Sequence, residues 1–414
     1  MRIAIISDTH FGFGEGTARE SECFENAEQA IALALKENAD AVILAGDVFD
    51  ETVPSQEVLL KAFQVFSKLR NAEPKQMLSI EKVSRKGERK KVEAQGIPLI
   101  AIHGTHEFRG KDYANVLQLF EESGFLVYLH GAHALLSNGA EEVAVHGLGG
   151  VPEKNALDVL NKFNPRPLAD VCNIFVMHQS IKEFLPFDDE MIASISLSDL
   201  PKGFDLVVNG HLHWCNEQEV NGSKFLLPGS TIITQMKRLE GEKPKGIYIF
   251  DSAEKKLSFH PLPKQRKLFY HKIKFEGASI EEVKEKLLRQ VYDDLSEKHG
   301  LLPLIRLNLS GSLAKGFNPA DLSIAEIEEE FKGKAILSIS KDFSAEAFKK
   351  KISELREMQK EKQSVIALGY QILEKNLEET QFNNSFDAKK VFDLLAEGKV
   401  DEVVALMENP EAKK

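Results

Sequence analysis

The sequence predicts an α/β chain: two packed sheets with flanking helices, then a small α+β unit and C-terminal helices. Three observations lead there. Through the first 260 residues, short runs rich in Ile and Val alternate with longer amphipathic segments. From about residue 214 the period shifts toward strands with few helices between them. Strand–helix alternation followed by strands is the pattern of a layered domain in which two sheets share a core. Finally, after Pro-Lys-Gln-Arg-Lys at 263–267, a β-α-β-α-β order begins.

Arg2–Ile6, Ala41–Ala45, 98–102, Cys172–Met177 and 205–209 are the compact strand candidates of the first part, with helical patterns at 21–37, 55–71 and 112–123. The helix at 55–71 sets Val58, Leu59, Ala62, Phe63, Phe66 and Leu69 at helical spacing, which makes one apolar stripe. Strands at 217–220, 224–227, 246–250 and 256–260 follow. The next unit reads as strand 268–275, helix 278–299, strand 303–309, helix 318–332 and strand 335–340. From 343 the chain is helical and polar, with Ile352, Leu355, Met358, Val365, Leu368, Ile372 and Leu373, then Phe392, Leu394, Leu395, Val403, Val404 and Leu406. So thin an apolar stripe needs a partner surface to hold a helix. The expected domains are 1–262, 263–340 and 341–414.

Composition narrows the function classes. With 43% hydrophobic and 28% charged residues over 414 positions, the chain has material for a sizeable core. No stretch reaches the ~18–20 apolar residues of a membrane span. The apolar run at 3–6 breaks into Ser7-Asp8-Thr9-His10 before a signal-peptide core could form. Cys23, Cys172 and Cys215 lack CxxC spacing and are odd in number, which points to a reducing cytoplasm and to packing roles. The net charge of −11 argues against a broad basic surface for nucleic acid. Either such a surface is local or DNA is not the substrate. One segment, 75–93, carries seven basic residues against three acids, and reads either as a solvated loop or hairpin or as an arm contacting phosphates.

Five polar clusters each follow an apolar run: Asp8-x-His10, Gly46-Asp47, Gly104-Thr105-His106-Glu107, His178, and Gly210-His211-Leu212-His213. In an open, mainly parallel sheet the carboxyl ends of strands share one rim, where sites gather. Imidazole and carboxylate donors without cysteine suit manganese, iron or zinc in an open site. Asp8, His10, Asp47, His178, His211 and His213 are therefore the expected metal ligands, with Asp47 as the natural bridge between two divalent ions. His106 sits on the same rim without being needed as a ligand, which makes it a candidate general acid or transition-state stabiliser. His103, His130, His133 and His146 lack such a setting and read as structural.

These motifs resemble the calcineurin-like metallophosphoesterase superfamily, whose pattern is D-x-H, G-D, G-N-H-[DE], a lone H and G-H-x-H. The resemblance covers about 1–262 and implies a two-sheet metallophosphoesterase sandwich. Gly46-Asp47-Val48-Phe49 and Leu227-Pro228-Gly229-Ser230-Thr231 are similar to segments of the SbcD-type DNA double-strand-break repair nucleases. That likeness implies a manganese-dependent nuclease acting on DNA ends with an SMC-like ABC ATPase. It also implies a capping domain at 263–340, terminal helices that dock on the ATPase, and a homodimer through 55–71 and 112–123. Two departures stand out. Thr105 replaces the family's ligating Asn, and Asp50 replaces a His three residues after the second-motif Asp. Two other readings compete: a small-molecule phosphodiesterase or phosphatase, which fits the acidic charge, and a metal-poor binding or scaffold subunit, motivated by Thr105.

Overall fold

The computed structural model describes residues 1–110, 113–185, 195–343, 388–396, 400 and 403. Most of the segment expected to dock on a partner, including Ile352 to Leu373, lies outside the described residues.

In chain order the first elements are β1 (Arg2–Ile6), α1 (Glu22–Lys36), β2 (Ala41–Ala45), α2 (Gln56–Arg70), β3 (Ser79–Val83), β4 (Arg89–Val92), β5 (Leu99–Ile102), α3 (Val116–Glu122) and β6 (Val127–Tyr128). They are followed by β7 (Ala132–Ser137), β8 (Glu142–Leu148), α4 (Glu153–Phe163), β9 (Cys172–Met177), β10 (Leu206–Asn209), β11 (Asn216–Val220) and β12 (Ser223–Leu227). Then come α5 (Arg238–Glu242), β13 (Gly246–Asp251) and β14 (Lys256–Pro261).

Two sheets result: a six-stranded one, β14-β13-β1-β2-β5-β6, and an eight-stranded one, β11-β12-β10-β9-β8-β7-β3-β4. Within the first, β1, β2, β5 and β6 run parallel. Within the second, β8, β9, β10 and β12 run parallel. Parallel pairing puts the carboxyl ends of β1, β2 and β5 on one rim, and those of β9 and β10 on another.

The near-continuous apolar strands are explained by burial on both faces. Side chains alternate across a strand, so Ile3, Ile5, Ile43, Ile100 and Ile102 meet Val143, Val145, Ile174, Val176, Leu206 and Val208 in a core between the sheets. Their neighbours Ala4, Ile6, Val42 and Leu44 face outward against Ala27 and Ile31 of α1, Phe66 and Leu69 of α2, and Phe120 of α3. On the far side, Phe175, Met177 and Val207 pack on Ala156 and Leu160 of α4. Fully burying one such side chain stabilises the fold by about 1.5–3 kcal/mol.

Two helix expectations are corrected. The helix expected over 112–123 starts only at Val116, because Asn115 caps it in a reciprocal pair with Gln118. The helix expected over 318–332 splits into a turn at Pro319–Asp321 and α7 (Ile324–Glu330), after α6 (Ile280–Asp294). The basic segment 75–93 is a hairpin whose β3 pairs with β7. Its Lys82 meets Glu121 at 2.6 Å and its Arg89 meets Glu81 at 2.9 Å. Arg85 donates to the Lys162 carbonyl. Cationic residues on an edge strand hinder further strand addition.

Beyond β14, a three-stranded sheet forms from β15 (Leu268–Ala278), β16 (Leu304–Leu313) and β17 (Ile336–Asp342), and a helix α8 spans Ala388–Ala396. The chain divides into two compact units: Met1–His271 with Leu288–Leu307 and Ile324–Ser338, and Lys272–Leu287 with Asn308–Ser323 and Ile339–Lys414. Among the described residues no helix is long and apolar enough to cross a membrane.

Candidate active site

The loops after β1 and β2 are zipped together by main-chain bonds: Asp8 N–H to Gly46 O (3.1 Å), His10 N–H to Asp47 O (3.1 Å) and Phe11 N–H to Val48 O (2.8 Å). To turn this tightly, Asp8, His10, Asp47 and His211 all adopt positive φ, at 50°, 46°, 44° and 75°. That region is costly for residues other than glycine, and such outliers gather at functional sites. Gly46, itself at φ 92°, and Gly104 complete the turn because there is no room for a side chain. A Cβ on Gly46 would strike the His178 ring, and one on Gly104 would strike the Asp47 carboxylate.

The six residues picked from the sequence come together as two groups, Asp8–His10–His213 and Asp47–His178–His211, with the donor atoms of each group within 4.8 Å of one another. In the first, His10 Nε2 and His213 Nε2 face each other at 3.2 Å, and His213 Nε2 lies 3.8 Å from Asp8 Oδ1. In the second, His178 Nε2 lies 3.0 Å from Asp47 Oδ2, yet it is buried and makes no aligned hydrogen bond. Asp8 and Asp47 are 0% and 1% exposed. Buried carboxylates facing imidazole nitrogens, with His178 Nε2 lacking a hydrogen-bond partner, are a donor set that fits divalent cations.

The ionisation behaviour follows from the same crowding. Burial works against protonating His178, but the Asp47 carboxylate prevails and lifts it to about 10. Burial likewise opposes ionisation of Asp47, yet His178, His10 and His106 hold it well below the usual carboxylate range. Burial and then His178 push His211 down to about 3. The carboxylates favour positive charge on the imidazoles they face: at His10 burial again opposes protonation, but Asp50, Asp8 and Asp47 outweigh it and raise that ring too.

His106 stands beside the first group. Its ring centroid is 5.0 Å from that of His10, and its Nε2 is 4.0 Å from Asp47 Oδ2. Its Nδ1 bonds to the Asp50 carbonyl, and the side chain is 41% exposed. An open groove of about 600 Å³ adjoins it, lined by Asp50, Glu51, Thr52, Val53, Thr105 and His106.

Comparison with known proteins agrees with this geometry. The sequence profile described as calcineurin-like phosphoesterase matches residues 1–215, which is more than half of the chain and includes all six donors. The chain belongs to the calcineurin-like phosphoesterase family. It is 26% identical over 261 residues to the DNA double-strand break repair protein Mre11 of Saccharolobus solfataricus, a match covering 61% of each chain. It is 27% identical over 326 residues to the protein of the same name from Sulfolobus acidocaldarius, covering 76% of each. With the double-strand break repair protein MRE11 of Arabidopsis thaliana it shares 26% over 379 residues, covering 77% of this chain and 51% of the relative. The chain thus spans 61% of the length of the first of these relatives and about half of the last.

Around these six donors stand residues that the sequence left without a role. Asp50 Oδ1 receives His10 Nδ1 at 3.0 Å, so the residue at the family's histidine position here supports a ring with its carboxylate. Glu240, 1% exposed, lies 3.3 Å from His213 Nδ1. Lys245 donates to the His213 carbonyl at 2.6 Å and to Ser230 at 3.0 Å. Glu107 ties the second-motif and third-motif loops together, accepting from Phe49 N–H at 2.6 Å and Gly104 N–H at 2.7 Å. Burial, with Asp47 nearby, raises its carboxyl to about 7. Asp50 and Glu107 were visible beside the motifs. Glu240 and Lys245 follow the last histidine at a spacing no motif rule flags.

His103, His130, His133 and His146 are held by hydrogen bonds or ring stacking. His103 donates from Nε2 to Gly150 O at 2.9 Å and accepts the Tyr128 hydroxyl at 2.7 Å, while burial pushes it down to about 3. His130 accepts the Gly149 N–H. His133 and His146 stack with centroids 5.0 Å apart. The Cys215 thiol donates to the Pro228 carbonyl.

Proposed function

We propose that this chain is a metal-dependent nuclease that hydrolyses phosphodiester bonds at DNA ends, working with an SMC-like ABC ATPase. The observation that carries the reading is the convergence of four motifs, from the strand ends of two sheets, as two donor groups with His106 of the third motif beside them, in a chain whose relatives are named as double-strand-break repair proteins.

Asp8, His10 and His213 would hold one divalent ion and His178 and His211 the other, with Asp47 shared. Such ions, manganese in this reading, acidify water and neutralise phosphoryl oxygens. The chain's own residues do the rest. Asp50 fixes His10 through Nδ1, leaving Nε2 for the site. His106 points Nδ1 at the Asp50 carbonyl, so Nε2 is the atom that meets substrate. As an imidazolium it gives its proton to the leaving oxygen, and its exposure on an open groove lets a polymer reach it.

In this reading residues 1–262 carry catalysis, 263–340 form the cap, and 341–414 dock on the ATPase. Homodimerisation through α2 and α3 is supported by Leu60 and Leu119, apolar yet 60% and 55% exposed. The net charge of −11 supports the competing reading, a phosphodiesterase for small molecules. The experiment is cleavage of single-stranded, hairpin and blunt-ended DNA with and without manganese, beside a nucleotide panel. Manganese-dependent DNA cleavage is expected. Turnover of one nucleotide far above every DNA substrate would reverse the assignment.

A further inference from the structure

We infer that the two metal positions are unequal: the Asp8–His10–His213 position fills first and tightly, and the Asp47–His178–His211 position fills only at higher metal concentration. This rests on the reading that the six residues hold metal, and takes it one step further, to how the surrounding side chains grade the two positions.

The grading comes from what stands behind each imidazole. A histidine ligand is fixed and made more basic by the partner on its other nitrogen, and a carboxylate there does this most strongly. Both rings of the first group have one. His10 Nδ1 meets Asp50 Oδ1 at 3.0 Å. His213 Nδ1 meets Thr234 Oγ1 at 2.7 Å with Glu240 Oε1 at 3.3 Å. Glu240 cannot swing away, because its carboxylate also accepts the main-chain N–H groups of Thr234, Gln235 and Lys237, and the buried Lys245 ammonium sits 3.9 Å from it.

The rings of the second group have neutral partners. His178 Nδ1 donates to the Ala45 carbonyl at 2.8 Å, and His211 Nε2 meets the Ser180 hydroxyl at 3.0 Å. Glu153 Oε1 is 4.0 Å from that His211 nitrogen, too far to back the ring as Asp50 and Glu240 do. His211 is also the more open ligand, 27% exposed against 1% for His10 and 6% for His213.

The third motif widens the gap. The residue at the position of the family's ligating Asn is Thr105, half-buried on the groove it lines with Asp50 and His106. A neutral alcohol is a weak donor to a divalent ion, and the neighbouring His106 has its Nδ1 committed to the Asp50 carbonyl.

The test is a manganese titration of the metal-free full chain without DNA, following free manganese by electron paramagnetic resonance and heat by calorimetry. Two binding steps at least about tenfold apart are expected. Asp50→Asn should weaken the tight step by about 10–100-fold and leave the weak one in place. Thr105→Asn should tighten the weak step about tenfold or more and leave the tight one unchanged. Glu240→Gln, folded by circular dichroism, should act as Asp50→Asn does. Two ions bound in one step, or a Thr105→Asn chain with an unaltered weak step, would overturn the inference. A chain that binds in two steps but leaves DNA intact would refute the proposed substrate and leave the grading standing. A chain that binds no ion refutes both.

Discussion

Two regions of this molecule concentrate charge, and they could hardly be treated more differently. On the rim, Asp8 and Asp47 are 0% and 1% exposed, and the backbone at Asp8, His10, Asp47 and His211 is held at positive φ. On the β3–β4 hairpin, Lys90 and Lys91 are exposed in ordinary strand geometry, and Lys82 and Arg89 already have acidic partners. Burying an ion costs several kcal/mol unless it is compensated, and each left-handed residue costs of order 1–3 kcal/mol. Exposed ion pairs are worth about 0–1 kcal/mol. The fold sustains a large expense on the rim and almost none on the hairpin. The patch with the loudest charge in the sequence is therefore held at little energetic cost, and the quiet motifs after strands are where buried charge and backbone strain concentrate.

Substitutions can break or sharpen that contrast. The largest effect is expected at Asp47, which both groups share in the proposed mechanism. Asp47→Asn should lower phosphodiester hydrolysis about a thousandfold, with circular dichroism showing an intact fold. His106→Ala should cost about a hundredfold or more while elemental analysis finds the metal content of wild type. If metal content fell with activity, His106 would be a ligand and not the proton donor. Glu107→Gln should destabilise the chain by about 1–3 kcal/mol in denaturant titrations, because an amide turns an N–H toward one of the two main-chain donors it replaces a carboxylate for. The smallest change is expected on the hairpin. Lys90→Ser with Lys91→Ser should leave stability within about 0.5 kcal/mol and activity unaltered. A salt dependence of DNA binding that became shallower by about one unit per lost contact would instead make the hairpin a phosphate arm.

Much of this was legible in the sequence, for a physical reason. β1, β2, β5, β9 and β10 are buried on both faces, so they read as continuous apolar runs, and each ends at a motif. β7 and β8 were not picked out, because His133 and His146 stack across them and interrupt the apolar pattern. β3 and β4 were legible only as a loop, hairpin or arm, because their cations mask the strand alternation. The donors themselves were legible because ligand chemistry restricts residue type and spacing. Their supports were not, since a carboxylate that backs an imidazole can come from anywhere the chain returns. Asp50 arrives three residues after Asp47, and Glu240 from a short helix beyond β12. Thr105 was visible as a departure, but its consequence depends on what stands behind the other ligands, which only the structure shows.

The most direct test of the central claim is manganese-dependent cleavage of a blunt DNA end by wild type and Asp47→Asn, with a chelator added and then titrated back. The account predicts cleavage by wild type that vanishes on chelation and returns with manganese, and a folded Asp47→Asn chain about a thousandfold slower throughout. Cleavage that survives chelation, or an Asp47→Asn chain as fast as wild type, would contradict it.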